Sequence, residues 1–382
     1  DMSNPWEGTG EARLRHGRTT QSASTMVGHT APVVHLQANP HAGAHDLASA
    51  GEDGWVRLWD LRASRSTRAL GKPRVAGQPA EAQAASCVCH SAQDANVVFA
   101  AWSDVVCAFD LRAGGVLLRD ATASFEGGSE EVNSLAASVD GSALLGGDDS
   151  GALLVWDPRS SKRRTRVADA HTSVLSMVVS HPRHALRAYS AGLDGRICAW
   201  SLPADGKVGK GGLRPTWECS LLAEAAASAA GGSNQLLNPR LAHAIAIDAS
   251  GDLLAAALGD GSVELRCAST GQQLARAADE DAHRGSACQV GFLPAAGADA
   301  GLLWSAGNDK LLRIWSIATA AQKASGAKGG SKQVPTRELR PAFDVRLPHK
   351  PNWVTEVATS KVALCVADVD SGTLAVYDLR DL

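Results

Sequence analysis

Four tetrapeptides close an apolar stretch with an acid and, two residues later, an arginine. They are Trp59-Asp60-Leu61-Arg62 and Trp156-Asp157-Pro158-Arg159, with near copies Phe109-Asp110-Leu111-Arg112 and Tyr377-Asp378-Leu379-Arg380. A guanidinium fork can engage carboxylate or carbonyl groups of a partner in bidentate fashion; it can also pair with the Asp two residues before it or cap the turn that follows. Cys87-Val88-Cys89-His90 has the residue types of a metal cluster. On an alternating strand, however, both thiols fall on one face, and no second Cys/His pair follows at zinc-finger spacing, so core packing is the better reading. Arg159 to Arg166 holds five cations in eight residues, which suits a solvated strand edge better than a nucleic-acid or import signal. Lys207 to Gly212 lacks the GxxxxGK[ST] spacing of a phosphate loop and reads as a flexible insertion. H-E-x-x-H, G-x-S-x-G and G-x-G-x-x-G do not occur, so the expectation is no enzyme, no cofactor and no metal.

With 37 Lys+Arg against 40 Asp+Glu in 382 residues, the net charge of −3 argues against a generic polyanion binder, and nucleic acid is not expected as a partner. No apolar run approaches the length of a membrane span, and residues 1 to 28 lack a hydrophobic signal core. The expectation is a soluble intracellular protein, cytoplasmic and/or nuclear. Eight cysteines lie mostly inside apolar stretches, where a reduced thiol behaves as a small hydrophobe. Ten Trp against two Tyr asks for a recurring structural slot.

That slot belongs to a repeat. Small residues, an Asp-Gly or Ser-Gly pair and an alternating apolar run ending in an aromatic recur at Leu47–Asp60, Leu144–Asp157, Tyr189–Trp200 and Trp304–Trp315. Weaker copies end at Phe109-Asp110, Arg266 and Tyr377-Asp378, making seven. Period-two alternation on both sides of a pair that tolerates positive φ predicts a β-hairpin in every copy. Setting aside 203–213, 223–237 and 320–337, which fit no repeat, leaves about 44 residues per copy from Gly28 onward, the size of a four-stranded propeller blade.

Gly28-His29 ahead of Trp59-Asp60, together with the repeated hairpin, resembles the WD-repeat β-propeller family over nearly the whole chain. The resemblance implies an all-β, seven-bladed propeller of four-stranded antiparallel blades, one domain over 18–382. It also implies a buried hydrogen-bonded set of His, Ser, Asp and Trp in each regular blade. Three sets are complete: His29, Ser49, Asp53, Trp59; His171, Ser190, Asp194, Trp200; and His283, Ser305, Asp309, Trp315. The physics is independent of family, since a buried carboxylate and a buried indole N–H each need a partner. Blades two, three, five and seven depart from the pattern, with Ser150 at the turn Asp position of blade three and Arg266 at the Trp position of blade five. These four are expected to rely on apolar packing and to be irregular. Because the chain ends on a third-strand copy, Arg18 to Val27 is expected to supply the missing outer strand of blade seven, leaving residues 1–17 as a mobile tail.

Gln235–His243, Asp148–Ala152 and Pro351–Trp353 with Val366–Asp368 are further similar to one branch of the family at off-consensus positions. In the family, the WDxR tetrapeptide marks propellers that dock on the damaged-DNA-binding-protein-1 adaptor of cullin-4 ubiquitin ligases. The resemblance therefore implies an adaptor-binding role for Asp60, Arg62, Asp157 and Arg159 and a substrate-receptor function, as a monomer within a complex with an unknown substrate. The alternative is a ubiquitin-independent scaffold or a chromatin- or peptide-binding propeller.

Overall fold

The computed structural model describes residues 18–19, 24–41, 45–73, 83–126, 128–203, 212–228, 238–294, 301–319, 337–358 and 362–379. Seven sheets are arranged as blades, each a meander of strands a to d running outward from a central axis. Blade one shows the plan: Val33–Ala38 (a), Leu47–Gly51 (b), Trp55–Asp60 (c) and Arg65–Gly71 (d). The b–c connection is tight because Gly54 takes φ +80°, and Gly151, Gly195 and Gly261 do the same in blades three, four and five. Strands a of the later blades are Cys87–His90, Val132–Ala137, Leu175–Ser180, Ala242–Ile247, Ala287–Leu293 and Pro351–Ala358.

Each strand a touches the next around the ring, and the last touches the first. Blades cannot pair their innermost backbone edges with one another, so side chains bridge them instead. Ser86 Oγ donates to Val132 O at 2.7 Å, Val178 N to Ser134 Oγ at 3.0 Å, and Ser176 Oγ to Ala242 O at 2.6 Å. Asn352 Nδ2 donates to Val33 O at 2.7 Å, joining blade seven to blade one. The core is correspondingly divided among the blade interfaces, as when Trp102 and Phe109 of blade two pack with Val56 and Leu58 of blade one.

Closure uses the N-terminal segment. Ser24–Val27 pairs antiparallel with Thr373–Asp378, Met26 opposite Leu374, and both side chains are fully buried. Two short parallel strands also cover outer edges, Arg18–Thr19 against Val345–Arg346 of blade six and Leu117–Leu118 against Ala69–Leu70 of blade one.

The expectation of irregular off-pattern blades is corrected for blades three, five and seven and holds for blade two. Blades three and five are four-stranded and carry the same bulge near the start of strand a as blades one, four, six and seven. Blade two is the one whose a–b ladder runs without that bulge, and its strand d, Ala123–Phe125, is short. Of the stretches outside the repeat, Leu221–Ser228 is an α-helix, α1, between blades four and five; residues 1–17, 204–211, 229–237 and 320–336 lie outside the described residues. Among the described residues no helix is long and apolar enough to cross a membrane.

Candidate functional site

Three blades contain the four-residue set with matching geometry. In blade one His29 Nδ1 lies 2.8 Å from Asp53 Oδ1 and Nε2 lies 2.6 Å from Ser49 Oγ, which also accepts Trp59 Nε1–H at 2.7 Å. The corresponding distances are 3.0, 2.8 and 2.9 Å for His171, Ser190, Asp194 and Trp200, and 2.9, 2.8 and 2.9 Å for His283, Ser305, Asp309 and Trp315. The second oxygen of each Asp accepts a backbone amide, from Thr30, Thr172 or Arg284. Burial raises the Asp194 carboxyl, but hydrogen bonds from His171 and the Thr172 amide outweigh it and bring it down to about 2; Asp53 and Asp309 are lowered for the same reasons.

A depressed carboxylate stabilises the fold above its unfolded pKa, near 4, and that contribution disappears as pH falls through the folded value. Asp194 alone is worth about 2 kcal/mol by this linkage. Thermal unfolding between neutral pH and pH 2 is therefore expected to show a steep loss below pH 4 that becomes shallower in Asp194→Asn. Identical slopes for the two proteins would contradict the linkage.

A glycine at the end of strand b makes room for each imidazole. A Cβ on Gly51, Gly192 or Gly307 would lie 2.6, 2.4 or 2.4 Å from Nδ1 of His29, His171 or His283. In the blades without that histidine, the turn register puts Trp102, Asp148, Leu258 and Asp368 at the glycine's place. Trp102, Asp148 and Leu258 are fully buried. Their Cβ atoms point where the imidazole sits in the other three blades, so the substitution fills a hollow that would otherwise be open. The fillers find their own partners: Trp102 Nε1 donates to Gly54 O of blade one at 3.0 Å, and Asp148 Oδ1 accepts Ser150 Oγ–H at 2.5 Å and Ala152 N–H at 2.9 Å. Trp156 of blade three, with Gly146 in place of the serine, donates to Glu126 O at 3.0 Å.

Blade five keeps the turn acid as Asp260 but replaces the His and Trp of the set by arginines, which corrects the expectation that it would rely on apolar packing. Arg240 takes the histidine's role, its Nε 3.0 Å from Asp260 Oδ2, and Arg276 Nη2 adds a contact at 2.8 Å. At the Trp position, Arg266 donates from Nε at 3.0 Å and Nη2 at 2.6 Å to Glu264 Oε2, and from Nη1 at 3.0 Å to Gly271 O. Nη1 also reaches Glu224 Oε1 of α1 at 3.2 Å. Arg266 is 1% exposed and Glu264 0%, so this pair is paired or it is very costly.

The WDxR residues lie at the c–d turns, on the face that also carries the a–b loops, as the bond from Leu61 N to Asp46 Oδ2 shows. Asp60 Oδ1 accepts the amides of Arg62 and Ala63, both at 2.9 Å, and Asp157 Oδ1 accepts that of Arg159 at 3.0 Å. The acid therefore caps the turn, and the exposed Arg62 and Arg159 side chains have no ion pair among the described residues. Blade two differs: Arg112 folds back onto Asp110 at 2.8 Å and Asp94 at 3.2 Å. Arg380 lies outside the described residues.

A family model described as WD domain, G-beta repeat matches residues 20–60 and 120–157, the first of which spans the whole His29–Trp59 set. The chain is a seven-bladed β-propeller with WD repeats in blades one and three. Among curated relatives it is 23% identical over 309 residues to the WD repeat-containing protein 53 homolog of Dictyostelium discoideum, covering 76% of this chain and 77% of the relative. This is the branch to which the off-consensus stretches are similar. Short matches of 44% and 43% identity over 52 and 54 residues connect it with ribosome biogenesis protein ytm1 of Aspergillus niger and of Emericella nidulans. They span 14% of this chain and only 10% and 11% of those relatives.

In this propeller the thiols of Cys87 and Cys89 are buried and free, both pushed up by burial, Cys89 to about 11. His90 is likewise brought down to about 3 by burial, and its Nε2 meets His45 Nε2 at 3.1 Å. No group of three or more His, Cys, Asp or Glu among the described residues could hold a metal ion. Strands a enclose an axial cavity of about 1080 Å3, lined among others by Glu356 and by His35, whose ring centroid lies 4.1 Å from that of Trp353 at a 40° tilt. Reading the sequence missed the blade-five ions and the hollow-filling residues; the signal available for the latter was the loss of glycine after strand b wherever the histidine is lost.

Proposed function

We propose that this protein is a substrate receptor that docks its c–d face onto the damaged-DNA-binding-protein-1 adaptor of a cullin-4 ubiquitin ligase. WD-repeat propellers are typically non-enzymatic scaffolds that bind proteins, and the axial disc with two loop-lined faces suits that work. The observation that carries the finer reading is the pair Arg62 and Arg159. Both are exposed, both follow an Asp-capped turn, and neither guanidinium is engaged in an ion pair within the described residues. Their five-donor forks are left for a partner's carboxylates or carbonyls, the kind of contact that dominates interface energetics. Arg112 on the blade between them is occupied by Asp110 and Asp94 and is assigned no more than a rim position.

Co-purification of the adaptor with the wild-type chain and with Arg62→Ala/Arg159→Ala tests this. Because both side chains are exposed, the variant should fold normally and retain at least about tenfold less adaptor, the effect of losing one or two interface anchors. Equal retention would exclude these arginines, and absence of adaptor from the wild type would exclude the ligase reading and favour a ubiquitin-independent scaffold.

A further inference from the structure

The c–d turns of blades one and three share more than an unpaired arginine. Each is a short hairpin loop between strands c and d, with Asp60 opposite Arg65 in one and Asp157 opposite Lys162 in the other. Such loops commonly place one residue in the left-handed region, and glycine is its ordinary occupant because it has no β-carbon. Blade two follows that rule with Gly115 at φ +109°, and blade five with Gly271 at φ +74°. Blades one and three put a serine there instead, Ser64 at φ +50° and Ser161 at φ +57°.

Backbone geometry disfavours a serine at this place, and the Ser64 hydroxyl does little for its turn, reaching only Leu61 O at 3.5 Å. Ser64 is exposed and Ser161 half-buried. Their surroundings match: an arginine stands two residues before each serine and a cation directly after it, as Arg62-x-Ser64-Arg65 and Arg159-x-Ser161-Lys162. All four of these cations are exposed. Arg112 of blade two shows what an arginine of this turn can reach, since its Nε holds both oxygens of Asp110, two residues away, at 2.8 and 3.0 Å. That blade, whose arginine is already occupied, has Ala113, Gly114 and Gly115 in its turn and no hydroxyl. A serine in the strained position and an arginine without an ion pair thus occur together, in the same two blades.

We propose that Ser64 and Ser161 are phosphorylation sites for a serine kinase that selects cations on both sides of its target, and that each phosphate captures the arginine two residues before it. In the transfer, the serine Oγ attacks the γ-phosphorus of magnesium-bound ATP. The Oγ–P bond forms as the bridge to ADP breaks, and the hydroxyl proton passes to a carboxylate base of the kinase and on to solvent. The product carries close to two negative charges and three acceptor oxygens. Arg62 and Arg159 are placed to hold it through charge-assisted hydrogen bonds, the arrangement that Arg112 already makes with Asp110. The consequence rests on the adaptor-docking reading: modification ties up the two guanidinium forks and switches docking off.

The test incubates the full chain with ATP and the catalytic domain of protein kinase C, and locates phosphate by mass spectrometry. Ser64 and Ser161 are expected to be the main acceptors. Ser64→Gly/Ser161→Gly relieves the positive φ and so folds at least as well; it should lose most of the incorporation. A 31P titration of the modified chain should give a second phosphate pKa below the value of about 6 of an unconstrained phosphoserine, returning towards it in Arg62→Ala/Arg159→Ala. Adaptor retention should fall at least about tenfold after kinase treatment of the wild type and not after the same treatment of the glycine variant. Phosphate only elsewhere on the chain, an unshifted titration, or equal retention by modified and unmodified wild type would each overturn the proposal. Should unmodified wild type retain no adaptor, the docking reading falls, and the titration by itself upholds or overturns the pairing of phosphate with arginine.

Discussion

Glu264→Ala is expected to destabilise the propeller by about 3 to 5 kcal/mol, because it leaves the Arg266 guanidinium buried with half of its counter-charge gone. Arg266 donates twice to Glu264 Oε2, and neither residue is accessible to water that could replace the lost carboxylate. The remaining carboxylate, Glu224, comes from α1 and is 40% exposed, so it is a weaker partner in a higher dielectric. The urea midpoint should fall with little change in slope. Hydrogen exchange at the amides of Leu221–Ser228 should quicken, since α1 is tied to blade five through Glu224. Replacing both partners, Glu264→Leu with Arg266→Met, should recover much of the loss, because apolar residues of similar volume carry no desolvation penalty. A Glu264→Ala protein as stable as wild type would show that the pair contributes nothing to the fold.

The second large effect concerns the hollow beside strand b. Gly192→Leu puts a side chain into the His171 ring, whose Nδ1 would lie 2.4 Å from even the first added carbon, and should cost about 3 kcal/mol through overpacking. His171→Ala removes partners from Asp194 and Ser190 and should cost about as much, through unsatisfied buried polar groups. The double variant reproduces one part of blade five, where Leu258 stands at the glycine's place and no histidine is present, but without the Arg240 that serves Asp260 there. Its loss should be smaller than the sum of the two by about 2 kcal/mol, a coupling expected of residues sharing one space. Strict additivity in the denaturation cycle would refute the exchange of imidazole for side chain.

Much of this was legible from the chain alone. The Ser-Ala-Gly runs at 49–51, 190–192 and 305–307, with turn Asp, Trp and a preceding His at regular spacing, mark three blades whose internal bonds all arise within one repeat. The closing strand was legible too, because the last repeat shows an outer edge in need of a partner and Arg18 to Val27 precedes the first repeat without belonging to it. What stayed hidden involves partners that no local pattern relates. Glu224 and Arg266 are 42 residues apart and meet only when α1 lies against blade five. Asp148 looks like one more turn acid until the missing imidazole explains why it is buried.

The amino-acid sequence by itself determined the number of blades, their hairpins, the three hydrogen-bonded sets and the location of the exposed Asp-x-Arg turns, because each depends on contacts within about 44 residues of chain. Tertiary structure alone decided how the four off-pattern blades are satisfied and which arginines on the c–d face stay unpaired. The reason is physical: burial and electrostatic potential are set by everything packed nearby, and around a closed ring those neighbours come from distant parts of the chain.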